Sequence, residues 1–319
     1  MSVVPPRAVD SVEEPQTRAL IVPRRSRRVP EEPRERSSIS AADLRSPRVR
    51  GLRRVVIASV LALLFAISAG PLLWLAKASV STTADINADP LGLWASGIQW
   101  HNLVDAWNKI GVGRFLVNSI LITTGEVVVA VVVSTTAAYV IAILRPRYAR
   151  LLSGYILAIL FIPGVVSLVP LYLTVIDLKL LDTYWAVWLP NAVSAFSVLI
   201  IATFFRTIPA EIFEAARVDG AGPFRILISI VLPLSRPILG VVALLAFTAS
   251  WKDFLWPLLA LPSTDLQPLS VALAKVAPTA DQALLLAGMF VTVLVPLLLF
   301  ILFQRQFLRG AGAAGAVKG

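Results

Sequence analysis

Six long apolar runs alternate with shorter polar stretches along this chain, and each run is long enough to cross a bilayer core as a helix. They cover about Val55 to Leu75, Leu116 to Leu144, Leu151 to Val175, Trp185 to Phe205, Pro237 to Leu259 and Ala283 to Phe303. The pattern predicts an all-α polytopic membrane protein with six transmembrane helices. The first run is too long, and starts too far into the chain, for a signal peptide, so it is read as a transmembrane helix. Pro163-Gly164 and Pro170 predict a kink in the third run, and Pro190-Asn191 interrupt the fourth; such breaks survive in a membrane where neighbouring helices resatisfy the freed backbone groups.

The polar stretches divide the chain. Residues 1–50 are rich in Pro, Arg, Ser and Glu without apolar periodicity, which predicts a disordered basic tail. Residues 51–112 hold the first span and a loop with Trp94, Trp100 and Trp107, ring types that favour the membrane interface. Residues 113–304 hold the other five helices and a polar loop at 206–236. Residues 305–319 form a glycine-rich tail. Of the 29 Lys and Arg residues, 23 fall in the N-terminal segment, the 145–150 turn, the 206–236 loop and the C-terminal segment. The positive-inside rule puts those four segments, and both termini, on the cytoplasmic side.

Composition agrees with the pattern. A chain with 57% hydrophobic and 15% charged residues and a mean hydropathy of +0.79 has too little polar surface for an ordinary soluble domain. The net charge of +10 sits beside the apolar spans and not on an aromatic-interleaved surface, so nucleic acid is not an expected partner. Cysteine is absent and His101 is the single histidine, which leaves no thiolate or histidine-rich metal centre to expect. There is no phosphate-binding loop motif, no His-Glu-x-x-His and no Gly-x-Ser-x-Gly, so no catalytic residue is expected and no cofactor is expected in this chain.

Within the 206–236 loop, Glu211-Ile-Phe-Glu214-Ala215-Ala216-Arg217-Val218-Asp219-Gly220 predicts one short helix. Pro209 suits its first position, and Glu211 and Glu214 lie where the helix dipole favours negative charge. Gly220 suits the left-handed residue past the end, and Pro223 blocks continuation. Ile212, Phe213 and Ala216 share a side, and Ala215 with Ala216 keep part of the surface low, as a helix seated in a cleft requires. The spacing of Glu214, Ala215, Ala216, Gly220, Ile230, Leu232 and Pro233 resembles the cytoplasmic EAA loop of bacterial ABC importer permeases. The flanks Pro209-Ala-Glu211 and Asp219-Gly220-Ala221 resemble the carbohydrate, maltose-type branch.

That resemblance spans roughly Val55 to Gly319 and implies the type-1 importer fold. It implies a permease subunit for a sugar or related carbohydrate, paired with a second homologous permease, two ATP-binding subunits and an extracytoplasmic solute-binding protein. ATP and magnesium would be bound by the ATPase partners. Glu211, Glu214, Ala215, Ala216, Asp219, Gly220 and Pro233 would belong to the coupling helix and its loop, with Glu214 the charged contact and the two alanines allowing close approach. The closing segment also resembles the maltose-type tail that reaches between the ATPase subunits, which implies contacts by Gly315, Lys318 and Gly319; a frayed terminus is the plainer reading.

Four polar or aromatic residues in or beside the spans are candidates for the translocation path. Glu126 must face protein or water, as a functional carboxylate or as a paired structural group. Asn118 matches the family's Asn-Ser, and helix packing explains it equally well. Trp251 and Asp253 match a Trp-Asn-Asp-Phe-like stretch, with Lys252 in place of Asn; anchoring of Trp251 and Trp256 at the interface is the alternative. The competing functions are an ABC permease for a non-sugar solute and a self-sufficient secondary transporter. The latter requires internal repeats and midplane charge pairs that do not stand out here.

Overall fold

The structure is a computed structural model, and it describes residues 47–315. The expected tail therefore lies outside the described residues, except that Pro47 onward is already helical, so the first helix begins earlier than the apolar run. The chain divides after Leu63 into two compact units. The first unit contributes the beginning of α1, Pro47–Ala78.

The second unit holds everything from Leu64 onward. After α1 come the short helices α2, Thr83–Ala88, and α3, His101–Asp105, then the long α4, Val112–Tyr139, which a π turn extends to Leu144. Next are α5, Ala149–Ile159, α6, Leu168–Asp177, α7, Trp185–Trp188, and α8, Ala195–Phe205. The polar loop contains α9, Ala210–Val218, then α10, Pro223–Ile226, a π turn and α11, Leu232–Leu234. The chain closes with α12, Arg236–Lys252, α13, Leu255–Ala260, α14, Leu269–Val276, and α15, Gln282–Gly315. Among the described residues three helices are long and apolar enough to cross a membrane unbroken, and three bent helix pairs bring the number to six when each pair is taken as one span.

The bends follow the prolines unequally. α5 and the segment Gly164–Asp177 meet at 98°, because Pro163, in extended conformation, cannot continue a helix. The third run is thus a sharp break and not the gentle kink expected. Pro170 causes no break, since it is the third residue of α6, where no intrahelical N–H partner is needed. Pro190 stays inside a helical segment, and the 49° bend between Trp185–Ala192 and Ala195–Phe205 falls just after it, at the extended Val193 and Ser194. The fifth run also differs from expectation: α12 stops at Lys252, and Asp253 and Phe254 leave the helix before α13.

α4 is the central post, packed most extensively on α12 and α8. Near one end, Ala138, Tyr139 and Ile141 join Val198, Ile201 and Phe205 of α8, Ile156 of α5 and Val242 of α12 in the largest core cluster. Near the other end, Val112 and Phe115 pack with Leu269, Ala272 and Leu273 of α14 and Ala287 of α15. The segment after α1 is tied down by polar contacts. Thr83 Oγ1 donates to Asp281 Oδ1 at 2.9 Å and accepts from the Ala283 N–H at 3.1 Å. The Asp85 carboxylate accepts from the Ser96 hydroxyl at 2.9 Å, and that bond is the main reason its pKa lies below the usual carboxylate value.

One close approach inside the bundle is absolute. A Cβ on Gly125 would lie 2.1 Å from the ring of Trp188, whose Nε1 donates to the Ile122 carbonyl at 3.0 Å. The partly buried indole is stacked on Tyr184 and packed edge-on against Trp185. Gly125→Ala is expected to displace Trp188, break that bond and destabilise the protein by roughly 1–3 kcal/mol; a thermal melt of the detergent-solubilised chain, read by tryptophan fluorescence, checks this. An unchanged melt would mean the ring is free to move.

Candidate functional site: a polar cavity and an exposed helix on one core

The helix of the polar loop forms as its residues dictate, with one shift. Pro209 precedes α9 as its N-terminal boundary residue instead of occupying the first helical position. Glu211 stays in the first turn and Glu214 in the second. The helix ends in a full Schellman arrangement: Ala221 N–H donates to Ala216 O at 2.9 Å and Gly220 N–H to Arg217 O at 3.0 Å. Gly220 has φ +75°, a conformation that a Cβ disfavours.

The faces of α9 sort differently from the expectation. Phe213 and Ala216 are buried in the largest core cluster, together with residues of α4, α5, α8 and α12. Ala216 therefore serves the chain's own packing, and of the two alanines only Ala215 lies on the outer face. Ile212 points outward, 37% exposed, and Val218 is 88% exposed. Glu211, Glu214, Ala215 and Asp219 are exposed as well. A second tether reaches the same loop, because Tyr139 OH, at the end of α4, donates to the Pro223 carbonyl at 2.8 Å. Pro233 is exposed in α11, beside the 81° bend between Pro223–Leu234 and Arg236–Lys252. It shapes the exit from the loop and lies outside α9.

A cavity of about 400 Å³ opens between α4, the break after α7, α8 and α12, lined by Glu126, Asn191, Ser194, Ser197, Ser250 and Asp253 among apolar residues. Glu126 is 3% exposed and accepts a hydrogen bond from Asn191 Nδ2. Asn191 lies in the helical turn Pro190–Ala192, just before the 49° bend that separates Trp185–Ala192 from Ala195–Phe205. Ser250 Oγ, in α12, donates to Thr123 Oγ1 at 3.2 Å. Asp253 sits where α12 ends, its N–H donating to the Ser250 carbonyl at 3.1 Å.

Of the four path candidates, Glu126 and Asp253 come together here, while Asn118 and Trp251 do not line the cavity. Asn118 braces a loop: its Nδ2 donates to the carbonyls of Asp265 at 2.8 Å and Gln267 at 3.0 Å, and its Oδ1 accepts from Tyr184 OH at 3.1 Å. Trp251 stacks on Phe247 with ring centroids 5.5 Å apart. Trp256 is no interfacial anchor; it is 6% exposed, and its Nε1 donates to the Ala186 carbonyl at 3.0 Å. Sequence reasoning missed Asn191, Ser194, Ser197 and Ser250. The signal was present as polar residues at three-residue intervals, 191, 194 and 197, within an otherwise apolar run. At the chain end, α15 continues helically through Gly315, and Lys318 and Gly319 lie outside the described residues.

A polar cavity enclosed by membrane-crossing helices, with an exposed polar helix rooted in the same core, defines a multi-pass membrane transport subunit. Residues 131–310 match the family described as binding-protein-dependent transport system inner membrane component, and the chain belongs to that family of ABC transporter permeases. It is similar to the probable ABC transporter permease protein YurM of Bacillus subtilis, 33% identical over 259 residues that cover 78% of this chain and 83% of that protein. It is also similar to the sn-glycerol-3-phosphate transport system permease protein UgpE of Pectobacterium atrosepticum, 31% identical over 80% of this chain and 93% of that one. The melibiose/raffinose/stachyose import permease protein MelC of Bacillus subtilis is 30% identical over 71% of this chain and 84% of its own length. The fold is shared with a chain of a bacterial ABC transporter involved in the import of the acidic polysaccharide alginate. That chain gives a TM-score of 0.71 at 22% identity, covering 82% of this chain and 98% of that one.

Proposed function

We propose that this permease carries a sugar or related carbohydrate, and that α9 is the coupling helix through which ATPase subunits drive it. The observation that supports this most directly is the two-faced burial of α9. Its inner face, Phe213 and Ala216, is packed into the cluster where α4, α5, α8 and α12 meet, while its outer face is free to seat on a partner. A push on that outer face is then delivered to the ends of four membrane helices at once. Alternating access follows if those helices move together, as packed cores resist continuous deformation.

In this reading the chain contributes no ATP hydrolysis. ATP and magnesium belong to two ATP-binding subunits, and a second homologous permease and an extracytoplasmic solute-binding protein complete the importer. The loop bearing α9 and both termini face the cytoplasm, in keeping with the distribution of Lys and Arg. Gly315, Lys318 and Gly319 are proposed contacts of the ATPase pair. The cavity at Glu126, Asn191 and Asp253 forms this subunit's part of the translocation path, where acceptor oxygens and an amide suit the hydroxyl groups of a carbohydrate. The relatives named for sugars and for a glycerol phosphate support a polyhydroxylated solute as the class.

The test is co-purification of the tagged chain from gently solubilised membranes, natural sequence against Glu214→Lys. The natural chain is expected to bring down an ATPase and a second permease. The charge reversal is expected to lose the ATPase while the second permease stays. Equal ATPase recovery from both chains would remove Glu214 from the interface, and a chain that purifies alone and transports without ATP would overturn the reading.

A further inference from the structure

The cavity between α4, α8 and α12 carries charge of one sign. Glu126, on α4, and Asp253, at the end of α12, both line it, and among the described residues its lining contains no Lys, Arg or His. The chain is basic overall, with a net charge of +10, so an acidic lining runs against its composition. Among the described residues the ion pairs are Lys109–Asp105 and Arg114–Asp265, and neither involves a cavity carboxylate. Lys252 precedes Asp253 in the chain, yet it is not part of the lining. The partners that the two carboxylates do have are uncharged: Asn191 Nδ2 donates to Glu126, and the Trp256 N–H donates to Asp253 Oδ1 at 3.5 Å.

What this lining can hold follows from the groups it offers. The Asn191 amide and the hydroxyls of Ser194, Ser197 and Ser250 each donate and accept, as the hydroxyl groups of a sugar do. A phosphate or carboxylate needs something else. Leaving water costs an anion far more than it costs a hydroxyl unless a cation pairs with it, and this lining supplies none. Protonation does not reverse that result: a protonated carboxyl is neutral, an ionised one is negative, and neither attracts an anion. Low-dielectric walls around the cavity strengthen the repulsion above its value in water.

We infer that Glu126 and Asp253 set the charge selectivity of this permease, admitting uncharged sugars and rejecting anionic ones such as sugar phosphates and uronic acids. The inference rests on the reading of the cavity as part of the translocation path, and it narrows the polyhydroxylated class to solutes without negative charge. The two carboxylates act here through charge alone. The acceptor oxygen of Glu126 is a separate contribution, one that a glutamine keeps, so removing the charge widens the range of solutes without closing the path to a neutral one.

The chain has no cysteine, so a single introduced thiol can report the potential inside the cavity whatever the solute is. Ala249 lines the cavity about one helical turn before Asp253. The experiment places Ala249→Cys in the complete importer and measures its modification by a cationic and by an anionic methanethiosulfonate of similar size. Each rate is divided by that reagent's rate with free 2-mercaptoethanol, and modification is counted on this chain by intact mass. The cationic reagent is expected to be favoured by about tenfold or more, as two nearby charges in a partly desolvated cavity require. Glu126→Gln and Asp253→Asn are each expected to lower the ratio to about threefold, and together to about one. Asp105→Asn, in α3 and outside the cavity, is expected to leave it unchanged. The two cavity variants are read singly as well as together, so that loss of assembly in one leaves the other to decide. Equal normalised rates with both carboxylates present, or a ratio that survives the double variant, would overturn the inference while leaving the path in place. A thiol that neither reagent reaches would remove the cavity from the path, and the inference with it.

Discussion

Phe213→Ala is expected to uncouple ATP hydrolysis from uptake and to destabilise the permease by about 3–5 kcal/mol, the usual effect of truncating a buried aromatic side chain. Phe213 is 7% exposed and is the only aromatic side chain of α9. Its removal leaves Ala216 as the remaining buried anchor on that helix. The Glu214 face is untouched, so the ATPase should still be recovered with the variant. What fails is rigidity: a helix that rocks in its seat absorbs the motion meant for the spans. The measurements are a thermal melt of the solubilised chain and ATP-driven uptake by reconstituted vesicles. Val218→Ala is the comparison, because Val218 is 88% exposed and its truncation removes no core contact. If Phe213→Ala melts with the natural protein and transports at full rate, the packing of α9 does not transmit force.

Glu126→Leu is expected to lower uptake by at least about tenfold with only a small loss of thermal stability. The substitution removes a buried carboxylate and leaves the Asn191 amide without its acceptor, a loss of about 1–3 kcal/mol for a neutral donor. An apolar side chain in the bundle offsets much of that loss in stability. The effect on transport has no such offset if the cavity is the proposed path, since the cavity loses an acceptor oxygen from its lining. Glu126→Gln keeps the size and an acceptor oxygen and should retain much of the uptake. The pair of variants separates hydrogen bonding from charge: equal loss in both points to the charge, and loss in Leu alone to the acceptor. A Leu variant that unfolds would make Glu126 a structural group, and one that transports normally would take Glu126 off the path.

The two parts of the candidate site were legible to different degrees. The coupling helix could be read nearly complete, because its determinants are local. Glu211 and Glu214 in the early turns, Gly220 at φ +75° and Pro223 just beyond act through their own backbone and near neighbours. Which face points inward could not be read, since Ile212, Phe213 and Ala216 are all apolar and only the docking of α9 on α4, α5, α8 and α12 separates them. The same limit explains Asn118 and Trp256. Each has a polar group whose partner lies 66 or more residues away in sequence, and no spacing rule reaches that far.

The all-α membrane class, the number of apolar runs, the position of the polar loop and the start and stop of its helix could all be read along the chain. Hydrophobicity, proline, glycine and charge act within a few residues, so these features follow from local order along the chain. How sharply the third, fourth and fifth runs bend, and which polar residues meet, follow from packing. Glu126 and Asn191 are separated by 65 positions and come together because the turn Pro190–Ala192 packs against α4. Burial then makes that meeting obligatory, since a carboxylate removed from water must find a donor among the side chains that the packing places beside it.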